Sequence, residues 1–191
     1  MNTKGVIYIA TGSQHRSEAA SNLERSLPFL KSFSSCIYTD DTSDPNISAF
    51  DIILQHPCPT FSYRDKVSPL SNFPFDYNLF LDSDAFLVYN PIALFDLLNY
   101  FDFVASYAPV RHPPGWTDSE IPLTFPEYNS GVMLLKRGRP CRRLLRDWLR
   151  LYDQLNKEYS QNWDQASLRS AVWRLLKRNS IKPFVLPPEC N

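Results

Sequence analysis

The sequence predicts a single α/β domain built on a mostly parallel central sheet flanked by helices, and three observations predict it. Short apolar runs of strand length alternate with stretches of helical period along the chain. The 191 residues, 43% hydrophobic and 14% aromatic, are enough for one buried core and argue against disorder. Polar and acidic residues follow several strand runs directly, where open α/β sheets place their ligands.

The elements follow in order. "VIYIA" (Val6 to Ala10) is a β-branched run closed by Thr11-Gly12-Ser13, which predicts a first strand entering a turn. Ala20, Leu23, Leu27 and Leu30 recur at spacings of three and four and predict an amphipathic helix. "SCIYTDD" and "FDIILQH" are two further strands, the first ending on Asp40-Asp41. "YRDKVSPL" is helical until Pro69 stops it. Tyr77 to Leu81 is short, aromatic and apolar, as a buried strand should be, and Asn90-Pro91 opens a helix over "IALFDLL". "FDFVASYA" (residues 101 to 108) is the next strand. Residues 109 to 128 then carry five prolines and no clear period, and loops of that length serve as lids or binding loops. "SGVMLLK" is a strand. From Cys141 the apolar positions Leu144, Leu145, Trp148, Tyr152 and Leu155 line one helix face, with Arg139, Arg143, Arg146 and Arg150 on the other. A last helix spans about Trp163 to Leu176, before a short "PFVL" strand.

Composition narrows the function. With 16 Pro and 5 Gly the chain has no glycine-rich phosphate loop, which weakens dinucleotide and ATPase readings. Lys plus Arg and Asp plus Glu both total 20, so net charge points to no nucleic-acid partner. The distribution is uneven: residues 1 to 135 hold 7 basic and 15 acidic side chains, and residues 136 to 191 hold 13 and 5. Cys36, Cys58, Cys141 and Cys190 lie far apart without zinc-binding spacing and are expected as free thiols. The N-terminus lacks the h-region of a signal peptide, and no run approaches the ~20 apolar residues of a membrane span. A cytoplasmic location is the expectation.

The stretch "YNLFLDSDAFLVYNP" sets Asp82 and Asp84 one residue apart after an apolar run. In extended backbone the two would share a face, where like charges repel unless solvent or a cation separates them. The pair is therefore either a solvated surface turn or a site for a divalent cation that bridges to a ligand's phosphates.

In order along the chain, "LFLDSDAFLV", "YNSGVMLLKR", "WDQASLRSAVW" and "VLPPECN" resemble the nucleotide-sugar glycosyltransferases of the GT-A fold, in particular the retaining, glycogenin-like and bacterial galactosyltransferase-like group. The resemblance implies that residues 1 to 191 form one transferase domain, hexosyltransferase-like. It would move a sugar from a nucleotide-diphosphate sugar, with a UDP-sugar the expected donor, to a glycan, lipid-linked or protein acceptor with retention. It implies that Asp82 and Asp84 hold Mn²⁺ or Mg²⁺ against the diphosphate, with Ser83 near the ribose. The cation stabilises charge developing on the departing diphosphate. Asn129, Ser130 and Gly131 would line the sugar pocket. Asp164 and Gln165 would contact the donor sugar near its anomeric carbon, unless Asp164 is only a helix N-cap. Lys66, or Arg64 in its place, would approach the diphosphate, and Thr11 and Asp40 would lie near the nucleobase.

Two departures and two rivals accompany the resemblance. Retaining members carry a histidine and a lysine beyond the point where this sequence ends at Asn191, and His15, His56 and His112 all lie upstream. Water and diphosphate oxygens would complete the metal shell, or His112 would swing in from its loop, or the chain is a weaker catalyst. The rivals are a non-catalytic sugar-nucleotide or glycan-binding module and a phosphatase of the haloacid dehalogenase type, which places its acidic pair on the first strand. The loop at 109–128 is expected to order over the donor and to offer Trp116 to an acceptor. The row Arg139, Arg143, Arg146 and Arg150 has too few acids nearby to neutralise it, and is either a solvated helix face or a weak contact for an anionic membrane surface or an acidic glycan.

Overall fold

The computed structural model describes residues 3–190. Seven strands form one sheet: β1 (Lys4–Ala10), β2 (Ser34–Thr39), β3 (Ile52–Gln55), β4 (Tyr77–Leu81), β5 (Phe103–Tyr107), β6 (Tyr128–Lys136) and β7 (Pro183–Leu186). Their spatial order is β3-β2-β1-β4-β6-β5-β7. β1, β2 and β4 are almost wholly buried on both faces, which is why their sequences are continuous apolar runs rather than alternating ones. β2 pairs with β3, β1 with β2 and β4, and β5 with β7, all in parallel. β6 runs antiparallel to both β4 and β5. The sheet is thus mostly parallel, as the sequence predicts, with β6 as its one reversed strand. The chain between β5 and β6 forms no crossover helix, and a strand that returns without one lies antiparallel to its predecessor.

Five helices cover the sheet: α1 (Ser13–Ser26), α2 (Arg64–Val67), α3 (Ile92–Leu97), α4 (Arg139–Tyr159) and α5 (Asp164–Lys177). α1 and α3 pack on one face through Ala19, Leu23, Phe95 and Leu98. α2, α4 and α5 pack on the other, around Val67, Trp148 and Leu168. Two helices are shorter than their sequence period suggests. α1 gives way after Ser26 to a 3-10 turn at Leu27–Phe29 containing Pro28, and Leu27 is left 46% exposed. α2 is a single turn, and Pro69 opens a 3-10 turn rather than ending helical structure.

α4 buries Cys141, Leu144, Leu145, Trp148, Leu151 and Tyr152, as the apolar spacing requires. On its other side Arg139, Arg146 and Arg150 are exposed and Arg143 is half-buried, while Arg146 lies 3.3 Å from the Asp147 carboxylate. All four cysteines are free thiols. Among the described residues no helix is long and apolar enough to cross a membrane.

The strand order sets the place for a ligand. From β1 the chain steps outward to β2 and β3, then returns to the opposite side of β1 as β4. The connections leave the carboxyl ends of β1 and β4 in opposite directions, which opens a crevice there. The acidic pair follows β4, the fourth strand rather than the first.

Candidate functional site

A cleft of about 920 Å³ opens over those strand ends. The start of α1, the segment from Phe61 to Lys66, and the acidic turn form its walls, with Tyr152 of α4 and Asn162 closing one side.

The acidic turn is held from beneath. Beyond Leu81 the backbone turns back, with the Ala85 N–H donating to the Asp82 carbonyl at 3.0 Å, so the two acids leave a turn and not an extended strand. Asn22 donates to the Ser83 carbonyl at 2.8 Å, the Tyr8 hydroxyl to the Ala85 carbonyl at 3.0 Å, and the Leu87 N–H to the Ser26 hydroxyl at 2.9 Å. Burial pushes the Tyr8 hydroxyl up to about 12, so it remains a donor. Asn22 and Ser26 are four residues apart on the buried face of α1. Their spacing places them on one helix face, but only the folded turn shows that they support it.

Asp84 is exposed, and no cationic side chain pairs with it among the described residues. Asp82, by contrast, is paired. The Lys66 ammonium lies 3.0 Å from each of its oxygens, 3.6 Å from the Asp164 carboxylate and 3.3 Å from the Ser130 hydroxyl. A lone lysine on a helix is ordinarily solvated, but the Lys66 side chain is only 11% exposed. Burial by itself would lower its pKa. The Asp164 and Asp82 carboxylates outweigh that and hold the ammonium charged, above the ordinary lysine value. Arg64, the other candidate for this place, points elsewhere and binds Asp153 at 2.8 Å.

Asn129, Ser130 and Gly131 occupy an irregularity in β6. Ala105 of β5 pairs with Met133, but the next residue, Ser106, pairs with Asn129, so the residues between them bulge from the ladder. The bulge presses Gly131 onto the acidic turn, its carbonyl accepting from the Asp82 N–H at 2.8 Å. A Cβ at Gly131 would stand 3.0 Å from both the Asp82 carboxylate and the Asn129 side-chain oxygen. Asn129 accepts from the Gly131 N–H at 2.7 Å, which fixes the bulge.

Asp164 and Gln165 open α5 from a fastened connector. Ser160 ends α4 in the left-handed region, Tyr152 donates to the Asn162 carbonyl at 3.1 Å, and the Trp148 indole donates to the Asp164 carbonyl at 2.9 Å. The N-cap position belongs to Trp163, so Asp164 is the first helical residue and its side chain caps nothing. The Asp164 side chain is 3% exposed. One of its oxygens and the side-chain oxygen of Gln165 are buried acceptors without a hydrogen-bond partner. Such atoms cost roughly 1–3 kcal/mol each unless a ligand or water supplies a donor.

The nucleobase candidates divide. Thr11 lines the cleft and donates to Asp65 at 3.0 Å. The Asp65 carboxylate also accepts from the backbone of Thr60 and Phe61, at 2.7 and 2.8 Å. It thereby holds Phe61, whose φ is +54°, beside Gly12 at the cleft mouth. Asp40 is not in the cleft wall, because the Gly12 N–H at 2.9 Å and Arg16 at 2.6 Å engage it. Ser83 does line the cleft, donating to Glu18 at 3.1 Å, with His15 3.4 Å from its hydroxyl. Glu18, His15 and Asp65 carry no motif, and the sequence did not single them out as site residues.

His112 is stacked on Trp163 with ring centroids 4.8 Å apart and does not join the acidic turn. His56 lies in the loop after β3 and is buried. The Cys58 N–H donates to its Nδ1, and its Nε2 faces the Asp65 carbonyl at 3.0 Å. The loop at 109–128 is fastened to the helices. Arg169 donates to the carbonyls of Pro122 and Phe125, Ser170 binds Asp118 at 2.9 Å, and Trp116 rests edge-on against Tyr159.

The chemistry of the acidic turn fits a hard divalent cation of the Mn²⁺ or Mg²⁺ kind, which prefers carboxylate, water and phosphate oxygens. Asp84 is uncompensated, and Asp164 keeps an oxygen without a hydrogen bond, 3.6 Å from the Lys66 ammonium. No third His, Cys, Asp or Glu joins a metal-binding group among the described residues, so water and ligand oxygens would fill the remaining positions. The chain matches no family model and no curated protein.

Proposed function

We propose that the chain is a metal-dependent glycosyltransferase of the GT-A type that moves a sugar from a nucleotide-diphosphate sugar to an acceptor, with retention. The observation that carries this reading is convergence. Asp82, Asp84 and Lys66 line one crevice, and Ser130, Gly131 and Asp164, from separate stretches of the chain, are buried against Lys66 and Asp82 behind its wall. The two partnerless acceptors add to it, since sugar hydroxyls are donors of the right kind for Asp164 and Gln165. The mostly parallel sheet with helices on both faces suits the same reading.

In this reading Asp82 and Asp84 hold the cation, which supplies charge stabilisation to the diphosphate as the bond to the sugar breaks. Lys66 adds a second positive charge on the same side. Asn129 and the Gly131 backbone border the sugar, and the narrow space at Gly131 keeps it against the acidic turn. Thr11, Ser83 and the start of α1 face the nucleoside. The loop at 109–128 borders the acceptor side, where His112, Trp163 and Tyr63 form a stack beside the cleft.

A second reading, a sugar-nucleotide-binding module without turnover, draws on the engagement of Asp82 by Lys66 in place of a free metal ligand. Incubation with UDP- and GDP-sugars and Mn²⁺, with release of the nucleoside diphosphate as readout, separates the two. Mn²⁺-dependent release that disappears in Asp84→Asn supports the transferase. Binding of a nucleotide sugar without release favours the module, and no binding of any nucleotide sugar overturns both.

A further inference from the structure

The Lys66 ammonium occupies the position from which a cation would neutralise the acidic turn. It spans both oxygens of Asp82 at 3.0 Å and keeps a second carboxylate, Asp164, at 3.6 Å. A divalent cation bound through Asp82 would lie within a few ångströms of this charge, and like charges at such range in a partly buried site repel strongly. The cluster without a ligand holds three carboxylates, Asp82, Asp84 and Asp164, against one ammonium. A diphosphate meeting it alone is therefore repelled, and a cation meeting it alone competes with Lys66. Each charge type is accommodated when the other is present.

Resting on the transferase reading, we propose that Lys66 is a displaceable internal counter-cation: it leaves Asp82 when the divalent cation binds and moves onto the phosphates of the nucleotide, so that metal and nucleoside diphosphate bind as a coupled pair. Asp164 is the pivot. It remains within reach of the ammonium after Asp82 is given up, and the oxygen that faces Lys66 at 3.6 Å makes no hydrogen bond, so it can receive that charge more closely. The side chain has room to move, because the α2 turn that carries it borders the cleft. Lys66 is thus a positioning residue for the cation as well as a ligand for the anion. Coupling of this kind is reciprocal, the cation raising nucleotide affinity by the same factor that the nucleotide raises cation affinity.

The test measures Mn²⁺ binding directly, by electron paramagnetic resonance of the free ion or by calorimetry, with and without saturating UDP. Wild type is expected to bind Mn²⁺ alone weakly and to gain about tenfold or more from UDP, within the usual range of coupling. Lys66→Met is expected to bind Mn²⁺ alone about tenfold tighter than wild type and to lose most of the gain from UDP. Lys66→Gln keeps a hydrogen-bond donor for Asp82 and moves affinity in the same direction, which covers failure of the Met variant to fold. Lys66→Arg keeps the charge and stays near wild type. Equal Mn²⁺ affinity in wild type and the neutral variants overturns the proposal and leaves the transferase reading standing. Absence of Mn²⁺ binding in every form, with and without UDP, overturns the metal assignment and the proposal together.

Discussion

Two parallel strands, β2 and β4, flank β1 and both end in acidic residues, and they resolve their charge in opposite ways. After β2, Asp40, Asp41 and Asp44 gather round Arg16, whose guanidinium lies 2.6 Å from Asp40, 2.6 Å from Asp44 and 3.9 Å from Asp41. Backbone N–H groups of Gly12, Ser43 and Asn46 complete the set. Burial would raise the Asp40 carboxyl, but the Gly12 N–H and Arg16 outweigh it and hold it below the ordinary carboxylate range. After β4, Lys66 is shared between Asp82 and Asp164, and Asp84 faces water. An acidic cluster whose charge is answered by its own chain is a fastener. One whose charge is only partly answered has capacity left for a ligand.

The largest effect that would break this contrast is on turnover. Asp82→Asn and Asp84→Asn are each expected to lower Mn²⁺-dependent release of nucleoside diphosphate by about 10²–10³-fold, as removal of a group that stabilises developing charge does. Asp84→Asn should leave the melting temperature unchanged, since its carboxylate has no partner to lose. Gly131→Ala comes next. Its added methyl would meet the Asp82 carboxylate at 3.0 Å, and nucleotide-sugar affinity with Mn²⁺ should fall about tenfold by calorimetry with the far-ultraviolet circular dichroism unaltered.

Arg16→Met should do the reverse of Asp84→Asn, lowering the melting temperature by several degrees while the intrinsic Mn²⁺ affinity of the acidic turn holds. Its pH dependence has a definite sign. Asp40, Asp41 and Asp44 all have lowered pKa values in the folded chain, so their contribution is present above the ordinary carboxylate value and is lost as pH falls through the lower folded values. The variant should therefore show a weaker decline of stability in acid. If Arg16→Met abolished metal binding while stability stayed unchanged, the contrast between the two strand ends would fail.

The smallest effect concerns an acid for which burial defeats its partners. Glu127 is 5% exposed, with Arg169 at 3.4 Å and Arg111 at 3.8 Å, and burial pushes its carboxyl up to about 7 despite them. A raised folded pKa means that the folded chain binds more protons than the unfolded one between the ordinary value of 4.5 and about 7. Stability should then fall as pH rises through that window and level off above it. Glu127→Gln should flatten this slope, measured by urea unfolding at about pH 5 and about pH 8. An equal slope in both proteins would show that the two guanidiniums, at 3.4 and 3.8 Å, suffice where Arg16 needs 2.6 Å.

Much of the fold was legible because strand and helix periods depend on local burial. "YNLFL", "SGVMLLK" and the Cys141 to Tyr152 stripe became β4, most of β6 and the buried face of α4. The reversal of β6 was not, since strand direction depends on what the connecting chain does in space. The acidic pair after β4 could be picked out, and so could Lys66, Gly131 and Asp164 as its companions. What "TDD" and "DSD" could not reveal is which pair finds a cation. Arg16 reaches Asp40 from α1 to the end of β2, and Lys66 reaches Asp82 from a segment whose placement depends on α2 packing against α4. Asn22, Ser26 and Tyr8 were invisible for the same reason, because their bonds go to backbone carbonyls and amides that only the folded turn presents.

The bond from the Trp148 indole to the Asp164 carbonyl bears on how the molecule assembles. It ties the start of α5 to the middle of α4 and, with the bond from Tyr152 to Asn162, sets Asp164 opposite Lys66, from the far half of the chain. No contiguous fragment can present this constellation, and contacts of such sequence separation are slow to form because loop-closure entropy is lost before they contribute. Recovery of nucleotide binding during refolding should therefore lag behind recovery of helical circular dichroism, with the Trp148 indole proton among the last to become protected from exchange.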